Sequence, residues 1–289
     1  KSNVMSQQVL VEQVEKDPPR PAPTEWKIEA RSVGKLYPRT DRRTKEATTV
    51  LDGFDLRIGS GEFVSLLGPS GCGKSTFLNI LAGLETYNGG AVFVDGKRVE
   101  GVNKNVGVVF QGYALFPWLS AQKNVEVGLK VRGVAKAERR ERAAQVLRTV
   151  GLESAAHRLP HQLSGGMRQR VAIARVLAYE PEVLVFDEPF AALDAQTREF
   201  LQSELLRIWE SGATKKTVLF VTHSIDEAIF LSDRIAVMTR APGRVKAVLD
   251  VELPRPRDAA VRSSEDFVHI RSRVARILEE EVRIGNDDH

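Results

Sequence analysis

Gly68-Pro69-Ser70-Gly71-Cys72-Gly73-Lys74-Ser75-Thr76 is the stretch on which the reading of this chain turns. An apolar run at 63–67 precedes it and a helix-like run at 77–84 follows, so the segment is predicted to join a buried strand to a helix. Its glycines let successive backbone N–H groups face an anion without side-chain obstruction, and the new helix turns its positive end to the same point. Phosphate binding is the consequence. Lys74 adds a mobile positive charge for the outer phosphates of a nucleotide, and the Ser75 hydroxyl is placed to coordinate Mg²⁺. Cys72 stands at a variable position and is read as filling the loop rather than as a redox or nucleophilic group.

Outward from this loop, the apolar run at 183–186 ends in Asp187-Glu188, which brings two carboxylates to the edge of a buried sheet where α/β proteins bind ligands. Beside a complete phosphate loop, Asp187 is assigned to Mg²⁺ and Glu188 to accepting a proton from the attacking water. Strand-like runs at 218–222 and 235–238 alternate with a helix-like run at 198–209, the rhythm of a sheet covered by crossover helices. Trp26, Ile28 and Ala30 alternate with Lys27, Glu29 and Arg31, as a half-buried strand requires. Asn88-Gly89-Gly90 reads as a tight turn into a strand at 91–95, which implies an antiparallel layer. Helical spacing at 134–150, closed by Gly151, suggests a helical subdomain at about 112–180. The expected fold class is α/β: a P-loop NTPase core with an antiparallel β layer and a helical subdomain.

The 289 residues are 42% hydrophobic and 28% charged, enough for one globular domain or two closely packed subdomains, and incompatible with disorder throughout. A net charge of +4, from 42 basic and 38 acidic residues, gives a mixed surface, and no nucleic-acid partner is expected. No apolar run approaches the roughly 20 residues that span a bilayer, so the chain is not expected to be its own channel. The absence of a charged-then-apolar opening segment and the single cysteine fit a reducing cytoplasmic setting. Residues 1–25, ending in a proline cluster, are expected to form a mobile tail, and 39–45 a solvated basic loop. His157, His161, His269 and His289 lack metal-ligand spacing, so no structural zinc is expected.

Leu163-Ser164-Gly165-Gly166-Met167-Arg168-Gln169-Arg170 is another small-residue turn opening a helix, able to bring Ser164 and the N–H groups of Gly165 and Gly166 to a phosphate. This run closely resembles the signature of the ABC ATPases. Gln111, Ala192-Leu193-Asp194 and Thr222-His223-Ser224 follow in that family's order, and the resemblance covers almost everything from 26 to 238. It implies an ATPase that uses ATP and Mg²⁺ and pairs head-to-tail with a second copy of itself, each signature closing over the partner's ATP. By the same resemblance, Gln111 senses Mg²⁺ and the attacking water, Asp194 links the two sites, and His223 reaches the γ-phosphate. Met167 departs from the commoner glutamine, while Ser-Gly-Gly is intact. Tyr37 resembles the aromatic that stacks on adenine, the alternative being a packed loop tyrosine. Gly112-Tyr113-Ala114-Leu115-Phe116-Pro117-Trp118-Leu119 resembles the groove that receives coupling helices of membrane subunits, the alternative being packing on the helical subdomain.

Leu115-Phe116-Pro117-Trp118-Leu119 with Asn124-Val125, Arg240-Ala241-Pro242-Gly243-Arg244 and Glu252-Leu253-Pro254-Arg255-Pro256-Arg257-Asp258 look like the nitrate, sulfonate and taurine importer ATPases of bacteria and archaea. The likeness implies transmembrane permease subunits docking between Gln111 and Trp118, a periplasmic or lipoprotein solute-binding protein, and a peripheral place on the cytoplasmic face of the inner membrane. An importer of lipid, metal or another solute would keep every catalytic residue. A soluble ABC ATPase acting on DNA or ribosomes usually has two cassettes or a long coiled-coil insertion, and this sequence shows one cassette with ordinary spacing. The expected limits are 1–25 for the tail, 26–258 for the ATPase domain and 259–289 for a C-terminal helix and tail. About 50 residues after Met238 are too few for a separate regulatory domain. Phe267, Ile270, Val274, Ile277 and Leu278 make one helical stripe, expected to pack on the domain rather than on a membrane or partner.

Overall fold

The structure, a computed structural model, describes residues 26–38, 47–211 and 215–284. The predicted tail at 1–25 and basic loop at 39–45 lie outside the described residues. In chain order the chain forms β1 (Trp26–Pro38), β2 (Ala47–Gly59), β3 (Phe63–Leu67), α1 (Lys74–Leu81), β4 (Gly89–Val94), β5 (Lys97–Arg98) and β6 (Val106–Val109). Then come α2 (Ala121–Val131), α3 (Lys136–Thr149), α4 (Gly165–Leu177), β7 (Val183–Asp187), α5 (Ala195–Ser211), β8 (Thr217–Thr222), α6 (Ile225–Leu231), β9 (Arg234–Met238), β10 (Val245–Asp250) and α7 (Glu265–Ile284).

Every residue of β3 is buried, which explains why its sequence runs apolar without alternation: both faces of the strand are covered. Phe63 and Leu67 point into one core while Val64 and Leu66 point into another. The neighbouring strands divide in the same way, Leu184, Phe186, Val218 and Phe220 joining the first core and Val183, Val185, Leu219 and Val221 the second. The strand order is β10-β9-β3-β8-β7-β6, with β9, β3, β8, β7 and β6 parallel and β10 antiparallel at one edge. A second sheet, β2-β1-β4-β5, is wholly antiparallel and closes over the second core with α1. Gly89 and Gly90, read from sequence as a turn, instead begin β4, where Gly90 has φ +74° and a Cβ would stand 2.2 Å from the Arg31 carbonyl oxygen.

Helix α1 starts three residues before the apolar periodicity at Phe77 and stops at Leu81 rather than Leu84. Gly83 explains the stop: it has φ +72°, and a Cβ there would lie 1.8 Å from the Gly101 carbonyl oxygen. A third core joins α2, α3 and α4 through Val125, Leu129, Leu147, Val171 and Ala174. Ser120 caps α2 by accepting the Lys123 N–H at 3.3 Å. Phe267 and Val274 of α7 are fully buried on the first core, with Ile277 and Leu278 packed beside them, and Arg271 makes a two-bond ion pair with Asp226 of α6. Among the described residues no helix is long and apolar enough to cross a membrane.

Candidate functional site

The parallel register brings the carboxyl ends of five strands to one edge of the sheet, and the loops that leave those ends carry the chemistry. Leu67 pairs with Thr222 and Asp187 with Val221, so the residues after β3, β7 and β8 emerge side by side. Between β3 and α1 the chain makes its glycine loop. Gly73 is the N-cap of α1, has φ +99° and offers no side-chain cap, which leaves the first-turn N–H groups open to an anion. A Cβ at Gly73 would also lie 2.7 Å from Leu51 Cδ2, so glycine is required twice over. Lys74 is buried, and its Nζ donates to the carbonyls of Gly68 and Pro69, both at 2.9 Å, with no carboxylate among those bonds.

Ser75 Oγ donates to Asp187 Oδ1 at 3.0 Å, a pair of hard oxygen donors at the mouth of the loop. Burial pushes the Asp187 carboxyl above its ordinary range and the Glu188 charge adds to this, while Ser75 and Lys74 pull the other way. Glu188 sits at φ +45°, a strained conformation for a non-glycine residue, and its N–H is held by the Val221 carbonyl at 3.0 Å. His223 Nε2 stands 2.5 Å from Glu188 Oε1, and Nδ1 is 3.2 Å from the Gly68 carbonyl. A carbonyl only accepts, so Nδ1 carries its proton in this arrangement and Nε2 faces the carboxylate. Ser70, Gly71, Gly73, Lys74, Ser75, Thr76, Glu188 and His223, with Val50, line a cleft of about 330 Å³. Cys72 is buried behind the loop, and burial pushes its thiol pKa up, which is unfavourable for a nucleophile.

The other sequence-selected residues lie outside that cleft. Gln111 is exposed two residues beyond β6 at the same sheet edge. Ser164 caps α4, accepting the Met167 N–H at 3.3 Å, and Gly166 lets α4 close on α5: a Cβ there would stand 2.8 Å from Thr197 Cγ2. A Cβ at Gly165 would lie 3.6 Å from the Tyr113 oxygen and 3.7 Å from Leu193, so the signature turn, the loop after Gln111 and the Asp194 turn adjoin one another. Asp194 is exposed, and the Thr197 N–H at 2.9 Å holds its carboxyl below the usual range. Tyr37 is 37% exposed, and its hydroxyl donates to Glu85 Oε2 at 3.0 Å. Lys35 Nζ sits 4.7 Å from the centre of the Tyr37 ring and donates to Glu85 Oε1 at 2.9 Å. Lys35, the Thr86 N–H and Tyr37 together lower the Glu85 carboxyl to about 2.

After Gln111, Tyr113 and Ala114 have φ +61° and +46°, and their carbonyls are held by Arg175 of α4 at 3.1 and 2.5 Å. Buried Asn124 accepts the Phe116 N–H at 2.8 Å and donates to the carbonyls of Phe116, Leu119 and Ser120, which leaves Trp118 72% exposed. Sequence reasoning missed Gly243. It abuts the phosphate loop so closely that a Cβ would meet the Cys72 carbonyl oxygen at 1.9 Å, and its N–H donates to Val50 at 2.8 Å. The signal was present in Arg240-Ala241-Pro242-Gly243-Arg244, which sequence reasoning used only to mark a branch of relatives. Arg198 and Glu227 were missed too: they line a neighbouring cleft with Glu188 and His223, and a lone acid in a short helix carries no local signal.

Comparison with known proteins agrees with this geometry. The family model described as "ABC transporter" matches residues 51–191. An uncharacterized ABC transporter ATP-binding protein of Methanocaldococcus jannaschii is 49% identical over 256 residues, which are 89% of this chain and 92% of that protein. A taurine import ATP-binding protein of Pseudomonas aeruginosa is 45% identical over 245 residues, covering 83% of this chain and 91% of the relative. Among solved structures, a dimeric ATP-binding cassette in a post-hydrolysis state bound to ADP and Pi superposes with a TM-score of 0.68 at 35% identity, over 78% of this chain and all of that one.

Proposed function

This chain belongs to the ABC transporter family and is one of its ATPases, and from that premise we propose that it powers a bacterial or archaeal importer of small anionic solutes of the nitrate, sulfonate or taurine type. The observation that carries the chemistry is the convergence of Lys74, Ser75, Glu188 and His223 on one cleft, with Asp187 hydrogen-bonded to Ser75 beside it. The uncapped start of α1 and the loop N–H groups receive the phosphates of ATP, and Lys74 exchanges its two carbonyl partners for the outer phosphate charge. The adjacent oxygens of Ser75 and Asp187 suit a hard divalent cation. They would hold Mg²⁺, which supplies charge neutralisation to the phosphates. Glu188, fixed by its strained backbone and by His223, accepts the proton of the attacking water, and His223 reaches the γ-phosphate.

Ser164, Gly165 and Gly166 act in trans in this reading: they lie outside the chain's own cleft, at a turn adjoining the Asp194 turn, where a second copy could present its ATP. Gln111 would contact the metal and the attacking water, and Tyr37 would meet the adenine with the face away from Lys35. ATP draws the two copies together head-to-tail, hydrolysis releases them, and permease subunits docked between Gln111 and Trp118 follow the motion. Arg175, which ties that loop to the signature helix, supplies the mechanical link. In this assignment 26–258 form the ATPase domain, with the helical part at about 112–180, 259–289 form the C-terminal segment, and the protein sits on the cytoplasmic face of the inner membrane beside a system that includes a solute-binding protein. Mild-detergent purification of the tagged chain from native membranes, followed by mass spectrometry, tests the proposal. A polytopic membrane protein at comparable abundance is the expected companion; ribosomal proteins or DNA in its place would overturn the importer reading.

A further inference from the structure

Behind Glu188 and His223 lies a run of buried polar groups that the hydrolytic step does not use. Glu227 of α6 is 6% exposed, yet both its oxygens are engaged: Oε2 accepts the Thr222 hydroxyl at 2.5 Å and Oε1 accepts the Gln202 amide at 2.9 Å. Each side of this carboxylate leads to a loop of the site. Thr222 Oγ1 also accepts the N–H of Ser224 at 3.0 Å, spanning the backbone on both sides of His223, and the Glu227 N–H donates to Ser224 Oγ at 3.3 Å. Arg198 Nε stands 4.0 Å from Glu227 Oε1, and the same guanidinium donates to the carbonyls of Phe190 at 3.3 Å and Leu193 at 2.8 Å, in the turn that ends at Asp194. Arg262 donates to Gln202 Oε1 at 2.6 Å and so fixes which end of that amide faces Glu227.

A buried carboxylate is costly unless paired and fully bonded, and an apolar side chain of similar size would serve packing as well or better. Burial accordingly pushes the Glu227 pKa up. We propose that Glu227 is a positioning residue that holds the His223 turn and the Asp194 turn in one register, so that the two move as a unit during hydrolysis. Thr222 has one hydroxyl proton. Donating it to Glu227 aims the oxygen lone pairs at the Ser224 N–H, which fixes the backbone around His223 and therefore the reach of its ring to Glu188. Glutamine at 227 keeps the shape but offers one acceptor where two donors arrive. Because Arg262 prevents Gln202 from flipping without losing a bond of its own, the amide nitrogen of the Glu227→Gln variant faces Thr222, whose hydroxyl must then accept and turn its proton elsewhere; this reorients the lone pairs that hold the Ser224 N–H, and the His223 turn loosens.

This inference rests on the proposed roles of Glu188 and His223, so the test separates the two. Single-turnover ATP hydrolysis and binding of a fluorescent ATP analogue are measured on the full chain as wild type, Glu227→Gln, His223→Ala and the double variant. Glu227→Gln is expected to slow hydrolysis about tenfold or more, since an ångström of misplacement in a catalytic geometry can cost up to about a hundredfold. Nucleotide affinity should stay within about twofold, and in the His223→Ala background the same change should have no further effect. Thr222→Val, which removes the hydroxyl and keeps the branched shape, should reproduce the loss and serves in place of Glu227→Gln if that variant does not fold. A wild-type rate in either variant, or an equal slowing with and without His223, overturns the inference alone. A wild-type rate in His223→Ala overturns the role assigned to His223 and the inference with it.

Discussion

Gly243→Ala adds one methyl group where the Cys72 carbonyl oxygen would be 1.9 Å away, and such contacts are not tolerated below 3.0 Å, so about an ångström must open between two backbone segments. The segment at 240–244 is held by Gly243 N–H to Val50 at 2.8 Å, by Arg240 N–H to Glu281 at 3.1 Å and by Arg244 N–H to Thr239 Oγ1 at 3.0 Å. Lys74 spans the glycine loop through its bonds to Gly68 and Pro69, which in the proposed function are exchanged for phosphate, so the loop is expected to be the side that yields. Overpacking of this kind costs about 1–3 kcal/mol. If that cost is carried by the phosphate loop, ATP binding weakens by roughly 5- to 150-fold, at about 1.4 kcal/mol per factor of ten. Titration calorimetry of ATP against wild type and Gly243→Ala reads the change, and thermal unfolding of the nucleotide-free proteins shows where the strain has gone. ATP affinity within about twofold of wild type would refute the reasoning, and a lowered unfolding temperature with that unchanged affinity would show that the 240–244 segment had moved instead.

Glu188→Gln keeps the size of the side chain and removes the base, so turnover should fall by about 10²- to 10⁴-fold while ATP is retained. Size-exclusion chromatography should then show an ATP-dependent dimer; near-normal phosphate release contradicts the assignment. Lys74→Ala should fail earlier, weakening ATP binding by roughly 10- to 150-fold, the loss of a charged hydrogen bond worth about 1.5–3 kcal/mol. Equilibrium binding of a fluorescent ATP analogue distinguishes it from the hydrolysis-defective variant. Glu85, lowered from 4.5 to about 2, is depressed in the folded state, so its contribution to stability is present above about pH 4.5 and is lost as pH falls toward 2. The stability difference between wild type and Glu85→Gln should therefore be flat from about pH 5 to 8 and shrink below 4.5; a change across the neutral range would contradict the Lys35–Glu85 geometry.

What the sequence determined by itself was whatever local chemistry specifies. Gly68 to Thr76 reads as a phosphate loop because glycines, a lysine and a hydroxyl must be close in sequence to wrap one anion, and Asp187-Glu188 follows a run of four apolar residues read as a buried strand, which β7 is. The alternation after Trp26 marked a half-buried strand, the antiparallel layer was inferred from Asn88-Gly89-Gly90 although the two glycines begin β4 rather than a turn, and the family was legible from the order of Gln111, Ser164, Asp194 and His223. The start of α1 was not, because its first turn, Lys74-Ser75-Thr76, faces the cleft and carries no apolar period. Only the tertiary structure decided which distant groups meet. Gly243 reaches Cys72 because β9 lies beside β3, Ser75 reaches Asp187 because β8 alone separates β3 from β7, and Tyr37 is held by Glu85 across the edge of the antiparallel sheet. Glu227 could not have been singled out from sequence, since an acid near the start of a short helix is ordinary; burial on α6 between Thr222 and Gln202 is what makes it costly and specific. Periodicity and motif order report what neighbours along the chain can do, whereas the energetic meaning of a lone side chain is set by groups that sheet order places beside it.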